Sequence, residues 1–351
     1  MRKRWDSFDL AKGLACIAVV FIHYNFTGNL GLAVKSFCRF GVPVFFITSG
    51  FFFLNDGKID EAKVVRKIRH ILKICVYSGI FYAFFTIIIN RISDKNWSMA
   101  AFTAEKLTAP RIVKFFITND PFVYSHLWFL LALLYCYFLL LFLFPGKSCL
   151  IISLSAPLLI TMYSCLQEFG DLLGIQRSLT IPGTDQQIYL YNLFIFRALP
   201  FFFLGILLNR YQEKFSRPRI NRFSSVALWF LGGGIAIWER FSFQEAQFFV
   251  GTYLMLFALF VNVIKYPAGK GRFFIHVGRD LSLFVYILHI AVGRCMDLLF
   301  SGLDLRGSAF YIHGRSTIIL ITSLLIAEVI FQLKRKVRPH ITSVKGPNYN
   351  Y

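Results

Sequence analysis

The sequence has few charged residues and no polar stretch long enough to form a soluble domain. Of its 351 residues only 16% are charged, whereas 56% are hydrophobic and 18% are aromatic. This balance excludes an ordinary soluble globular protein. The apolar runs are continuous and lack the alternation of barrel strands, so they indicate helices that cross a hydrocarbon core of about 30 Å. We therefore predict an all-α, polytopic membrane helix bundle.

The apolar runs predict about ten transmembrane helices in one membrane domain, residues 1–340, followed by a short cytoplasmic tail, residues 341–351. No small-residue cleavage site follows the first run, so we expect the first helix to be retained. The predicted spans are 8–27, 37–54, 71–90, 126–144, 149–167, 192–209, 223–239, 247–264, 281–300 and 316–333.

Acidic residues are scarce, 18 against 38 Lys and Arg, which gives a net charge of +20. Such basicity can indicate nucleic-acid binding, but the placement of the charges argues against it. The basic residues concentrate in segments that the predicted topology puts on one side of the membrane, about twice as many as on the other. By the positive-inside rule both termini are cytoplasmic, and the expected partner is anionic membrane lipid rather than nucleic acid.

The sequence has no CxxC motif, and its seven cysteines do not cluster in loops. Their positions within or beside apolar runs predict small core residues, not disulfides or metal ligands, and we expect no metal. There is also no internal repeat of fixed period, which disfavours the inverted-repeat architectures of many transporters.

What the sequence does have is polar residues inside its apolar runs. The first run, FDLAKGLACIAVVFIHYNF, carries Asp9, Lys12 and His23. Helical geometry puts Lys12 and His23 on nearly the same face, ~16 Å apart along the axis, so they cannot touch each other but could both line a cavity. The alternative is that Asp9 and Lys12 form an i, i+3 pair at the interface while His23 reaches the outer surface.

The second run and the basic stretch after it add further candidates. Arg39 and Ser49 lie in FCRFGVPVFFITSGFFFL, where the serine can bond backbone or substrate. Arg66 and Arg69 are i, i+3 neighbours in AKVVRKIRHILK and could present a forked cationic surface to phosphates. The alternative for these arginines is an ordinary positive-inside loop.

Later runs carry polar residues at helical spacing. Ser282, Tyr286 and His289 share one face of RDLSLFVYILHIAV, and a polar stripe of this kind either lines a lumen or makes interhelical hydrogen bonds. Trp128 in SHLWFLLALLY and Arg197 in FRALPFFFLG could line a cavity or simply anchor helix ends at the interface.

Taken in order, six segments resemble acyltransferase family 3, integral membrane acyltransferases that modify sugars and envelope polymers. The segments are DLAKGLACIAVVFIHY, RFGVPVFFITSGFF, RKIRHILK, HLWFLLALLY, FRALPFFFLGILL and SLFVYILHIAV. The resemblance implies about ten helices and transfer from a cytoplasmic acyl-CoA, expected to be acetyl-CoA, to a hydroxyl that arrives from outside.

The resemblance also implies roles for the candidate residues. His23 matches the helix-1 histidine, a candidate general base, which suits an imidazole because its unperturbed pKa lies near neutrality. Lys12 stands where most members have Arg, and with Arg66 and Arg69 it would hold CoA phosphates. Lining of the cavity or positioning of the acceptor is implied for Asp9, Arg39, Ser49, Trp128, Arg197, Ser282, Tyr286 and His289.

We therefore expect an acyl-CoA-dependent O-acyltransferase of the bacterial inner membrane that O-acetylates a carbohydrate or envelope glycopolymer, with envelope-biosynthesis proteins as possible partners. One alternative is a transporter of a small polar solute or exported glycan that uses His23 and Arg39 as its site. Another is a noncatalytic assembly protein, in which His23 would be dispensable.

Overall fold

The computed structural model describes residues 5–53, 60–119, 121–143, 154–168, 174, 176, 178–182, 184, 187–216, 221–243, 247–267 and 270–342. It is 83% helical with almost no sheet, which confirms the all-α class. The basic residues 2–4, the first part of the predicted span 149–167 and most of the predicted tail lie outside the described residues.

The helices vary widely in length, from single turns to a helix of 34 residues. In chain order they are α1 (Asp6–His23), α2 (Gly28–Phe37), α3 (Gly41–Phe51), α4 (Glu61–Ser93), α5 (Met99–Lys106), α6 (Ala109–Thr118), α7 (Trp128–Leu143), α8 (Ser155–Glu168), α9 (Phe194–Arg197), α10 (Leu199–Arg210), α11 (Gln212–Ser216), α12 (Arg222–Ser242), α13 (Val250–Lys265), α14 (Arg272–His276), α15 (Ser282–Gly302) and α16 (Ala309–Thr342).

Five helical stretches in the described part of the chain are long and apolar enough to cross a membrane: Gly28–Phe51, Glu61–Ser93, Ser125–Phe142, Arg272–Gly302 and Ala309–Val337. They overlap five of the ten predicted spans. Helix α1 is not among them, since it holds Asp6, Asp9 and Lys12 within 18 residues. The count of ten and the location of the termini stay predictions.

Two predicted boundaries differ from the structure for local reasons. The span predicted at 37–54 is preceded by α2, which hydropathy did not predict because Asn29, Lys35 and Ser36 interrupt its apolar residues. A 3₁₀ turn, Cys38–Phe40, joins α2 to α3. The span predicted at 71–90 begins ten residues earlier. There Asp60 caps α4 by accepting a 3.0 Å hydrogen bond from the Lys63 N–H, so the basic stretch is helix rather than loop.

The long polar segments also contain structure. In the segment 91–125 lie the short helices α5 and α6, and the second is amphipathic. In the segment 168–191, strands β1 (Ser178–Thr180) and β2 (Gln187–Tyr189) pair antiparallel with Leu179 opposite Ile188. Sequence analysis did not predict this hairpin, because its strands are three residues long and give no usable alternation.

The chain divides into two compact units. The terminal unit comprises residues 1–38 and 267–351, and the central unit comprises residues 39–266. In the terminal unit α1 packs against α14, α15 and the π-helical turn Val277–Leu281 that joins them. A Cβ added to Gly278 of this turn would overlap the carbonyl oxygen of Asp9, so glycine allows the two backbones to touch.

The central unit is held by similar close helix contacts. Helix α3 packs against α10, α12 against α13, and α4 against α7. A Cβ on Gly205 of α10 would overlap the carbonyl oxygen of Ile47 on α3. Bulky aromatic side chains such as Phe46, Phe201 and Phe202 fill the space around this contact and are fully buried.

Candidate functional site

The two histidines singled out in the sequence lie against each other in the terminal unit. His23 is the last residue of α1 and is exposed, whereas His289 of α15 is fully buried. The centroids of their rings are 5.1 Å apart. Two residues that are 266 positions apart in sequence thus form one imidazole pair, with one member accessible and the other fixed inside the unit.

The ring of His289 is oriented by its own helix. Its Nδ1 lies 3.0 Å from the carbonyl oxygen of Val285. A carbonyl oxygen only accepts, so Nδ1 carries the hydrogen, and in the neutral ring Nε2 is then the nitrogen with the lone pair. The other two residues of the predicted stripe lie on the same helix: Ser282 donates to the carbonyl of Gly278 at 2.9 Å, and Tyr286 is half-buried.

Tyr24, the residue after His23, holds the end of α1 against α15. Its hydroxyl donates a 3.1 Å hydrogen bond to the carbonyl of Ile290, next to His289. A Cβ added to Gly293 would overlap the Tyr24 phenol, so this glycine leaves space for the ring. The Tyr24 ring also contacts Arg315, whose guanidinium carbon lies 4.9 Å from the centroid of the ring. Tyr24 therefore fixes the approach of His23 to His289.

Arg315 belongs to an ion-paired group that we call the terminal network: Asp297, Tyr311 and Arg315. The carboxylate of Asp297 accepts from Arg315 Nε at 2.8 Å and Nη2 at 2.6 Å, a bidentate pair. The same carboxylate accepts from the Tyr311 hydroxyl at 2.7 Å. Charge-assisted, two-pronged contacts of this kind are strong and directional, so they fix Arg315 where it covers Tyr24.

At the other end of α1, Asp9 and Lys12 form an ion pair of 2.7 Å. The i, i+3 alternative from the sequence is therefore present in the structure. Both side chains are partly exposed, so the pair can exchange with a ligand phosphate at modest cost.

A second histidine contact that the sequence did not suggest lies near the start of α15. His276 Nδ1 is 2.8 Å from Asp280, and its Nε2 is 2.7 Å from Glu328 on α16. Because carboxylates accept, this arrangement favours the doubly protonated, cationic form of the ring. Arg279 also donates to Asp280, at 2.9 Å.

In the central unit, Arg66 and Arg69 lie on the first turns of α4 and are exposed. Arg66 Nη2 is 3.8 Å from the Asp60 carboxylate, a loose contact at the surface. Residues three apart on a helix share a face, so the two exposed guanidinium groups lie on the same side of α4, and phosphate binding there stays a prediction. Ser49 of α3 donates to the carbonyl of Phe45 at 2.8 Å, which is the backbone alternative considered for this serine.

Arg197 and Trp128, predicted separately, meet in the central unit. The guanidinium carbon of Arg197 lies 3.6 Å from the centroid of the Trp128 ring, and Arg197 is only 7% exposed. Arg197 also donates to Asn192 Oδ1 at 3.5 Å and to the carbonyl of Thr118 at 3.4 Å. Deep burial argues against a simple interfacial anchor for this arginine.

Arg39, in the 3₁₀ turn before α3, is half-buried. Tyr163 of α8 is fully buried, and the centroid of its ring lies 5.6 Å from that of Phe248. No group of three or more His, Cys, Asp or Glu side chains in the described ranges could hold a metal ion. Cysteines 16, 38, 75, 136 and 295 are free thiols.

Residues 5–331 match the family model described as an acyltransferase domain, Acyl_transf_3. The chain belongs to acyltransferase family 3. The match covers nearly the whole chain and includes every candidate residue named above, and it favours an acyltransferase over a transporter. No curated protein and no solved structure matched this membrane acyltransferase.

Sequence reasoning did not find the terminal network or Tyr163 of this acyltransferase. Asp297 and Arg315 lie on different helices, 18 residues apart, and no spacing rule connects them. Charged residues within long apolar runs are a general signal for function, and applying it to Asp297 and Arg315 would have found them.

Proposed function

We propose that this protein is an O-acyltransferase that moves an acyl group, expected to be acetyl, from cytoplasmic acyl-CoA to a hydroxyl of an extracytoplasmic carbohydrate or envelope glycopolymer. The observation that carries the proposal is the His23–His289 pair, with ring centroids 5.1 Å apart, in a chain of acyltransferase family 3. The location that goes with this activity is the bacterial inner membrane.

His23 has the properties of a general base. It is accessible, so a substrate hydroxyl can approach its ring, and it lies in the last turn of α1. The carbonyl groups at a helix C-terminus stabilise positive charge, which favours the imidazolium that forms when the ring takes a proton. In the proposed step His23 removes the hydroxyl proton as the oxygen attacks the thioester carbonyl. Collapse of the tetrahedral intermediate breaks the C–S bond, and the leaving CoA thiolate takes up the proton.

His289 and Tyr24 have positioning roles in this proposal. The bond from His289 Nδ1 to Val285 fixes one ring, and the bond from Tyr24 to Ile290 fixes the helix end that carries the other. A base held in place needs no reorganisation when the substrate arrives, and small misplacements of such a group are costly to rate.

The donor side of the proposal rests on positive charge. Arg66 and Arg69 offer planar, exposed guanidinium groups, which suit the phosphates of CoA. Lys12 is a compact charge already paired with Asp9, so it would contribute attraction without a two-pronged contact. Arg39, Trp128, Arg197, Ser282 and Tyr286 are proposed to serve the acceptor.

The decisive experiment measures thiol release from acetyl-CoA by the purified protein in detergent, with a crude envelope-glycan fraction as acceptor. We expect His23→Ala to abolish release while acetyl-CoA binding stays near the wild-type level, because only the base is removed. His289→Ala should lower release less severely. Wild-type turnover by His23→Ala would remove the general-base role, and absence of both release and binding in the wild type would end the acyl-CoA proposal.

The donor site is tested by the double variant Arg66→Gln and Arg69→Gln. Losing charge-assisted phosphate contacts worth about 1.4 kcal/mol or more should raise the acetyl-CoA concentration for half-maximal release about tenfold or more. Arg91→Gln is the matched control, because it removes an arginine from the last turn of the same helix. If the double variant and the control show the same concentration dependence as the wild type, Arg66 and Arg69 are topology signals only.

A further inference from the structure

A group of polar residues, which we call the central polar cluster, is buried in the central unit around Arg197. Arg197 donates to Asn192, and the amide of Gln247 donates to the same Asn192 oxygen at 3.0 Å. The neighbour of Gln247, Phe248, packs on Tyr163 with ring centroids 5.6 Å apart. These contacts link residues of α8, the 3₁₀ turn Leu190–Asn192, α9 and the segment before α13.

Two members of this neighbourhood carry polar atoms that no described residue bonds. The hydroxyl of Tyr163 is one, and both side-chain atoms of Asn119 are others. Each residue is 1% exposed. Asn119 follows Thr118, whose carbonyl accepts from Arg197, so it lies beside the cluster. A buried polar group without a bond is costly, and native proteins keep few of them unless a ligand or function needs them.

The charge at the cluster identifies what such a ligand must be. Arg197 is only 7% exposed and carries a permanent positive charge within these contacts. Guanidinium groups donate and never accept, and the Tyr163 hydroxyl and the Asn119 amide add further donors. Trp128 covers one face of Arg197, and stacking on a face leaves the edge N–H groups directed outward in the plane. A convergent set of donors around a positive centre is complementary to an oxyanion.

We propose that the central polar cluster is a binding site for an oxyanion group, a carboxylate or a phosphate, carried on a polar ligand of carbohydrate type. Arg197 supplies the charge-assisted hydrogen bond, and Tyr163 and Asn119 donate the bonds that complete the site. This deepens the proposed function, on which the carbohydrate class of the ligand rests, because Arg197 and Trp128 are proposed there to serve the acceptor; binding at the cluster itself requires neither an acyl donor nor transfer.

The test is equilibrium binding of three probes to the purified protein without acyl-CoA: glucuronate, glucose 1-phosphate and glucose. We expect at least one anionic probe to bind about tenfold or more tightly than glucose, as for a hydrogen bond to a charged group. A preference for glucuronate assigns a carboxylate, and a preference for glucose 1-phosphate assigns a phosphate. Titration in about 0.3 M NaCl suppresses binding to the exposed basic residues.

Two neutral substitutions keep the net charge and test the site itself. Tyr163→Phe removes only the hydroxyl. Asn119→Gly removes the amide and keeps the left-handed backbone, since Asn119 has φ 58°. Each should weaken binding of the preferred anion about tenfold without affecting glucose. Tyr137→Phe is the control, a buried tyrosine of the same unit that packs on Phe53 and Phe202, and it should bind like the wild type.

The proposal is overturned if neither anion binds more tightly than glucose, or if Tyr163→Phe and Asn119→Gly bind both anions like the wild type. Size-exclusion chromatography in detergent confirms that each variant is folded before titration. The binding test uses no acyl donor, so its result does not depend on whether the protein releases thiol from acetyl-CoA. Conversely, thiol release with a neutral acceptor does not depend on whether the central polar cluster binds an anion.

Discussion

The two units bury their charged residues in different surroundings. In the terminal network Asp297 accepts from Arg315 and Tyr311, so positive and negative groups meet within one unit. In the central polar cluster Arg197 lies on the ring of Trp128, and Tyr163 and Asn119 have no hydrogen-bond partner in the described part of the chain. We call the terminal network a frame, because its ionised groups pair with one another and need no ligand. The central polar cluster resembles a ligand site, because it holds buried polar groups that no described residue bonds.

The largest loss of stability should occur when the frame loses the carboxylate of Asp297. Asp297→Ala removes the acceptor of both Arg315 and Tyr311, and breaking a partly buried pair in this way should lower the free energy of unfolding by about 3 kcal/mol. Thermal unfolding in detergent, followed by fluorescence, measures the effect.

Asp304→Asn is the matched control for Asp297→Ala. It removes an exposed carboxylate just beyond α15 at φ 55°, a backbone conformation that asparagine tolerates. We expect little change in the unfolding temperature of this control. Equal effects of the two substitutions would contradict the role of the terminal network as a frame.

A smaller effect is expected from crowding the contact that fixes His23. Gly293→Ala puts a methyl group where the Tyr24 phenol lies, and overpacking of this kind costs about 2 kcal/mol. Because Tyr24 directly follows His23, displacement of Tyr24 should also displace His23. Thiol release should therefore fall by more than the loss of stability alone explains.

The control for Gly293→Ala is Gly314→Ala on α16, where the added methyl would meet only the flexible end of Ile318 at 3.4 Å. Both variants are assayed for unfolding temperature and for thiol release. If Gly293→Ala retains wild-type release, Tyr24 does not position His23.

The smallest effects compare two buried tyrosines. Tyr311→Phe removes the 2.7 Å bond to Asp297 and should cost about 1.5 kcal/mol, the usual value for a hydrogen bond to a charged group. Tyr163→Phe removes a hydroxyl that no described residue bonds, so its unfolding free energy should change by less than about 0.5 kcal/mol. If Tyr163→Phe lowers the free energy of unfolding more than Tyr311→Phe does, the distinction between frame and site is wrong.

The sequence predicted the helices well where apolar runs are long and uninterrupted. The span 316–333 lies entirely within α16, and all but the first residue of the span 281–300 lies within α15. It failed where helices carry polar or small residues, as at α2 and at the π-helical turn Val277–Leu281. Such segments are helical because they pack against neighbours, as Gly278 packs against Asp9, and periodicity does not record that contact.

For the candidate site, sequence reasoning selected individual residues but not their partners. His23 and His289 were both selected, yet their proximity depends on α1 and α15 packing together, which spacing along the chain cannot reveal. The stacking of Arg197 on Trp128 is a similar case. Tyr163 and Asn119 were missed because a single tyrosine or asparagine has no pattern of its own, and only burial makes it unusual.

The sequence by itself therefore determined the membrane class, the helical architecture and the family, since each depends on composition, local periodicity or the order of motifs along the chain. The tertiary structure decided which polar residues meet: the histidine pair, the terminal network and the central polar cluster. The physical reason is that propensity and hydropathy act over one or a few helical turns, whereas a hydrogen bond or ion pair between helices depends on packing of segments up to hundreds of residues apart.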